Sequence, residues 1–193
     1  VIDLPPPSYE QTIEAIVRCE IPRGNVRIAY SDLLQSDEVS ISNLGSVTDD
    51  KLRCLKAAVH PFYILTIEEL PQLAAFYQFS EREDRPKQKA EALDWLRSEG
   101  LLDRLPVFHA GQKLEDFTVA VEWACGLVAG SSLMVWDEKS ITFRPEAFSM
   151  TESTTEFEKT AKNHWCLTQM IVASNAWEND VRLVLIGNKQ NAV

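Results

Sequence analysis

The chain has 193 residues, 45% of them hydrophobic and 25% charged, enough to build a full-sized core and too apolar for a wholly disordered chain. Twenty-nine acidic residues against 19 basic ones leave a net charge of -10, which disfavours wrapping along nucleic-acid phosphates and favours solubility or a basic protein partner. No uncharged apolar run is long enough for a membrane-spanning helix, which needs roughly 18 residues or more, so no membrane contact is expected.

The acidity is concentrated at one end. Residues 1–50 hold nine acids and three bases, whereas residues 51–100 hold eight of each. The chain opens on Val1 rather than methionine, which leaves targeting by an upstream segment open.

In chain order, Pro5-Pro6-Pro7-Ser8-Tyr9 predicts a stiff extended stretch within a flexible arm over residues 1–12. Ile13, Ile16 and Val17 then mark one face of a short helix that Pro22 stops. Val26, Ile28 and Tyr30 alternate as in a half-buried strand, and Val39 and Ile41 suggest a weaker extended piece. Thr48 or Asp49 can cap a helix carrying Leu52, Leu55 and Val59, which leads into a strand over Phe62 to Ile67.

Leu70, Leu73, Ala74 and Tyr77 predict a further helix. After it, residues 80–91 mix both charge signs and read as a solvated connector, with Pro86 in the first turn of a new helix ending near Gly100. Leu105 to Phe108 can form a short strand. Leu114, Phe117, Val121, Ala124 and Val128 trace the apolar face of a helix that Gly130 ends. Leu133 to Trp136 and Ile141 to Phe143 flank a polar turn and read as a hairpin, and Pro145 to Thr155 reads as a reversal before a helix over Glu156 to Asn163. Trp165, Leu167, Gln169, Ile171 and Ala173 alternate, and with Val181, Leu183, Leu185 and Gly187 they predict a C-terminal β-hairpin.

The expected architecture is therefore α+β: residues 13–193 as a single domain, with a mixed or mainly antiparallel sheet, packed helices and that terminal hairpin. Residues 48–79 and 112–148 each run from helix to strand, but their residues do not repeat, and no duplication is expected.

Cys19, Cys54, Cys125 and Cys166 lack the close spacing of metal or redox motifs. Four cysteines allow three disulfide pairings, but Cys54 and Cys125 fall in helical patterns beside small apolar residues, so reduced buried thiols and a cytoplasmic protein are expected. His60, His109 and His164 form no ligand cluster, and neither metal nor cofactor is expected. The glycines do not form a phosphate loop, and no serine sits in a nucleophile elbow.

Two catalytic arrangements remain as the alternative to a binding role. His109 could move a proton beside Glu115 or Glu122 on the following helix. Cys166 could act as a nucleophile with His164, which on a strand would share its face. Either would make the protein a small hydrolase.

Arg18, Arg23 and Arg27 with Tyr30 are too sparse, and too close to Asp32, Asp37 and Glu38, to suggest nucleic-acid binding. Pro6-Pro7-Ser8-Tyr9 resembles the Pro-Pro-x-Tyr ligand motif of WW domains, a likeness covering four residues that implies a groove contact through Pro6, Pro7 and Tyr9. In charge and size alone the chain resembles acidic neutralising proteins such as antitoxins and immunity factors. The leading expectation is a non-enzymatic acidic protein-interaction or inhibitory module that masks a basic surface, with Tyr9, Asp32, Asp37, Glu38 and Trp177 as contact residues.

Overall fold

The computed structural model describes residues 5–145 and 154–184. The α+β class with mixed sheets holds: two three-stranded sheets are each packed by helices. The contacts cluster into two compact units that divide between Arg85 and Pro86.

In the first unit, helix α1 (Tyr9–Arg18) leads into strands β1 (Val26–Ser31) and β2 (Ser36–Ile41), then helix α2 (Asp49–Val59) and strand β3 (Ile64–Ile67). β1 pairs antiparallel with β2, which pairs parallel with β3. The period of two sorts the faces. Val39, Ile41, Leu65 and Ile67 turn inward onto Ile16, Leu52, Leu55 and Val59, whereas Arg27, Ala29, Ser31, Glu38, Ser40 and Thr66 form a polar outer face on which nothing is fully buried. Ser8 and Thr48 cap the two helices, Ser8 through a reciprocal bond with Gln11.

Helix α3 (Leu70–Ser98) runs through the charged stretch expected to be a connector. Its solvated charges find helical or cross-element partners: Arg85 pairs with Glu81 at 3.0 Å, Arg53 with Glu83 at 3.1 Å, and Arg82 with Asp49 at 2.6 Å. Pro86 costs the helix one amide donor without ending it. Leu73, Phe76 and Phe79 pack into the first unit's core, and Ala92 and Leu96 into the second's.

The second unit contains helix α4 (Leu114–Ala124), strands β4 (Leu133–Asp137) and β5 (Ser140–Phe143), helix α5 (Thr154–Ala173) and strand β6 (Arg182–Val184). β4 is antiparallel to β5, and β5 is parallel to β6. Three expectations change here. Residues 105–108 are not a strand: the Asn175 side-chain amide both accepts from the Phe108 N–H at 2.7 Å and donates to its carbonyl at 2.8 Å, doing the work of a ladder partner. Residues 165–173 are helical, so the pair expected as a C-terminal hairpin is a helix followed by a parallel strand. The buried positions Cys166, Leu167, Gln169, Met170, Ile171 and Ala173 fall on both parities, as the broadly covered face of a helix gives and a strand's alternation does not. Helix α4 is capped at Cys125 and followed by Gly126 at φ +73°, so it ends before Gly130, and Val128 lies outside it, exposed. The reversal expected over Pro145 to Thr155 falls largely on residues 146–153, and Leu185 and Gly187 of the last strand also lie outside the described residues.

The two units share one plan of helix, antiparallel strand pair, helix and parallel third strand, with the same strand order. The cysteines repeat with it and are not reduced. Cys19, which caps α1, is bonded to Cys54 of α2, and Cys125, which caps α4, is bonded to Cys166 of α5. Each cap is followed by a left-handed residue, Glu20 at φ 63° and Gly126 at φ 73°. The shared plan therefore runs from helix to third strand, over residues 9–67 and 114–184, in a frame that a comparison of helix-to-strand pairs misses.

Each bond closes a loop spanning 35 or 41 positions, long enough for a substantial reduction of unfolded-chain entropy. Replacing Cys19 and Cys54 together by serine should lower stability by about 2–5 kcal/mol. Denaturant unfolding of the double variant checks this, and an unchanged midpoint would show the bond to be dispensable.

Candidate functional site

The acidic candidates of the first unit converge at the β1–β2 hairpin. Ser31 faces Ser36 as the closing pair, and residues 32–35 form the tip, with Gln35 at φ 48°. Tyr30 lies opposite Asp37 and Ala29 opposite Glu38, so Asp37 shares the inward-facing row and Glu38 the outer one. Asp37 accepts the hydroxyl proton of Tyr9 in a short hydrogen bond that ties α1 to β2. Asp32 is exposed in the tip, and Asp37 and Glu38 are half-buried.

Tyr9 is thus part of the fold as well as of the proline motif. Its ring meets Tyr63 edge-on at 6.3 Å, and the Tyr63 hydroxyl donates to the Pro7 carbonyl at 2.5 Å. Ser8 of the same motif caps α1, whose first residue is Tyr9. Arg23 of the sparse basic set forks onto both carboxylate oxygens of Glu10, at 2.7 and 2.8 Å. Trp177 belongs to the second unit, half-buried in the turn between α5 and β6.

Three apolar side chains at the hairpin were not among the sequence candidates. Leu33 is 90% exposed, Leu34 45% and Tyr30 59%. A turn of this kind usually takes small polar residues. Two leucines there are the signal that could have found the tip, since they serve neither the turn nor a core.

The catalytic candidates are arranged differently. Glu122 is completely buried, and its carboxylate accepts the backbone N–H groups of Gly130, Ser132 at 2.7 Å and Leu133 at 2.8 Å. It holds the loop that feeds β4. His109 and Glu115 are exposed, and the His109 backbone closes a local turn with Gln112. Cys166 is held in the disulfide with Cys125, so its sulfur is not a free thiol. His164 lies on helix α5, where positions two apart point to different sides, and it meets the Phe143 ring edge-on at 5.0 Å. Among the described residues no group of three potential metal ligands is gathered, and no helix is long and apolar enough to cross a membrane.

No family model matches this chain, and no curated protein or solved structure shows significant similarity to it.

Two measurements test this geometry. Glu122→Gln leaves one acceptor oxygen and sets an amide donor against at least the Gly130 N–H, in a buried site, so it should destabilise the second unit by roughly 2–4 kcal/mol. Amide exchange across residues 126–133 should quicken, and unchanged exchange there would contradict the role given to the carboxylate.

The second concerns Tyr9, whose phenol is held above the ordinary tyrosine value of 10.0, foremost by its hydrogen bond to Asp37. The folded protein keeps this proton where the unfolded chain loses it, so the bond's stabilisation is full below the ordinary value and disappears as pH rises through the raised one. Ultraviolet titration should show a late-ionising contribution in the wild type that Tyr9→Phe removes, and superimposable high-pH limbs would contradict the bond.

Proposed function

We propose that this protein is a non-enzymatic, acidic protein-interaction module that masks a basic surface of another protein, with the β1–β2 hairpin as its contact element. The exposure of Leu33 carries this reading. An ordered turn closed by Ser31 and Ser36 holds two leucines out in solvent next to the exposed Tyr30 of β1, with Asp32 in the turn and Asp37 and Glu38 on the strand that leaves it. Such an apolar centre can be desolvated on contact while the carboxylates steer encounter with a positively charged partner. The net charge of -10 extends that field over the whole chain.

The engagement of Glu122 with backbone N–H groups and of Cys166 with Cys125 weighs against the hydrolase alternative. The two disulfides support residence in an oxidising compartment, in place of the cytoplasm expected from reading Cys54 and Cys125 as buried thiols in helical patterns. The contact of Tyr9 with Asp37 and Tyr63 favours an architectural role for the Pro-Pro-x-Tyr sequence over recognition by a WW domain.

Immobilised wild-type protein and a Leu33→Ser/Leu34→Ser variant, exposed to the same cell extract, should retain different sets of proteins. The set lost by the variant should be basic and should elute with salt. Identical sets would remove the hairpin tip from the contact.

A further inference from the structure

We infer that the partner binds by adding an extended, lysine-rich segment as a fourth strand along the free edge of β1, an inference that rests on the interaction-module reading. The strand order places β1 at the edge of its sheet. Its hydrogen-bonding phase follows from one bond: Ser42 N–H donates to Asn25 O at 3.0 Å, so Asn25, Arg27, Ala29 and Ser31 pair with β2. Val26, Ile28 and Tyr30 consequently turn their backbone groups outward. The Val26 N–H is bonded to Arg23. Among the described residues, the N–H and C=O groups of Ile28 and Tyr30 and the Val26 carbonyl have no partner. This is a ready template for one more strand.

Edges are ordinarily blunted by a bulge, a proline, a lysine or a cover. β1 has none of the first three: its six-residue register with β2 is continuous. Its counterpart in the second unit, β4, carries a register shift between Val135 and Asp137. The other edge strand of the first sheet, β3, has its Leu65 carbonyl engaged by the Tyr77 hydroxyl at 3.4 Å. Of these three edges, β1 alone combines a regular register with outward backbone groups that have no partner among the described residues.

A groove of about 500 Å³ follows this edge and extends onto the outer face, lined by Arg27, Tyr30, Glu38, Ser40, Ser42 and Glu68 among others. Ala29 and Ser31 beside it are small, which leaves room for an incoming strand's side chains. The charges select the occupant. Glu38 and Glu68 form no ion pair among the described residues, in a chain where acids elsewhere are widely paired, and Asp32 and Asp37 lie at the tip end. Arg27 is the outer-face charge on β1 itself, but Glu38 of β2 and Glu68 line the same groove and outnumber it, which favours lysines at the outer-facing positions of the added strand, whose long side chains reach back across β1. A second copy of β1 would instead bring together two chains of net charge -10.

The probe is a short capped peptide of alternating lysine and threonine, compared with its glutamate counterpart and with a copy N-methylated on alternate amides in both phases. On the intact protein at low salt, the lysine peptide should shift and protect the Ile28 and Tyr30 amides. It should bind at least about tenfold more tightly than either control, the scale of one or two lost hydrogen bonds. Glu38→Lys/Glu68→Lys should reverse the preference towards the glutamate peptide. Equal binding of the N-methylated copies, protection at other amides, no binding, or a sedimentation mass showing that β1 is already paired between two copies would each overturn strand addition. The Leu33→Ser/Leu34→Ser variant separates the two proposals. If it loses its protein partners while the peptide fails to protect β1, the interaction module stands and the strand-addition mode falls. If the peptide protects β1 while that variant keeps every partner, the tip reading falls instead.

Discussion

A helix-to-helix disulfide placed at the end of the first helix and within the second organises each half of this protein. A three-stranded sheet covered on one face is near the lower limit of what can bury a stable core, and small units of this kind often need a covalent or metal restraint. Here the Cys19–Cys54 bond joins α1 to α2, the two helices that carry Ile16, Leu52, Leu55 and Val59 onto the inward row of β2 and β3. The inner face is thereby fixed, and the outer face and β1 edge are left to vary without harm to the core.

The shared plan takes a different form in each unit. In the second unit, the segment leading into its first strand is gathered on a buried carboxylate, Glu122, and that strand is bulged. In the first unit the equivalent strand is regular, and its hairpin projects leucines. The same topology thus accommodates a bulged strand fed by a carboxylate-held loop in one unit and a regular strand in the other.

Much of the first unit was legible because its signals are local: alternation in Val26, Ile28 and Tyr30, the Thr48 cap, and the spacing of Leu52, Leu55 and Val59. The weak piece around Val39 and Ile41 is the central strand, since two buried positions suffice when neighbours lie on both sides. Helix α5 was misread because Leu167, Gln169, Ile171 and Ala173 are all buried, so the broad covered face of a helix mimics a period of two. The role of Glu122 was hidden for a different reason. Its acidity suggested proton chemistry, whereas the three N–H groups it holds come from a loop that no periodicity describes. The cysteine pairs were illegible from spacing alone, but the first cysteine of each pair, Cys19 and Cys125, closes a helix, a correspondence visible only once the shared plan is framed from helix to third strand.

The Cys19–Cys54 bond also encloses the whole β1–β2 hairpin within its loop. A turn as exposed as residues 32–35 is a natural point of attack for an endopeptidase. After such a cut the two pieces remain covalently joined and still share the inner face, so the molecule would migrate as one species until a reductant parts it. This exposed tip can therefore be severed without shedding a fragment.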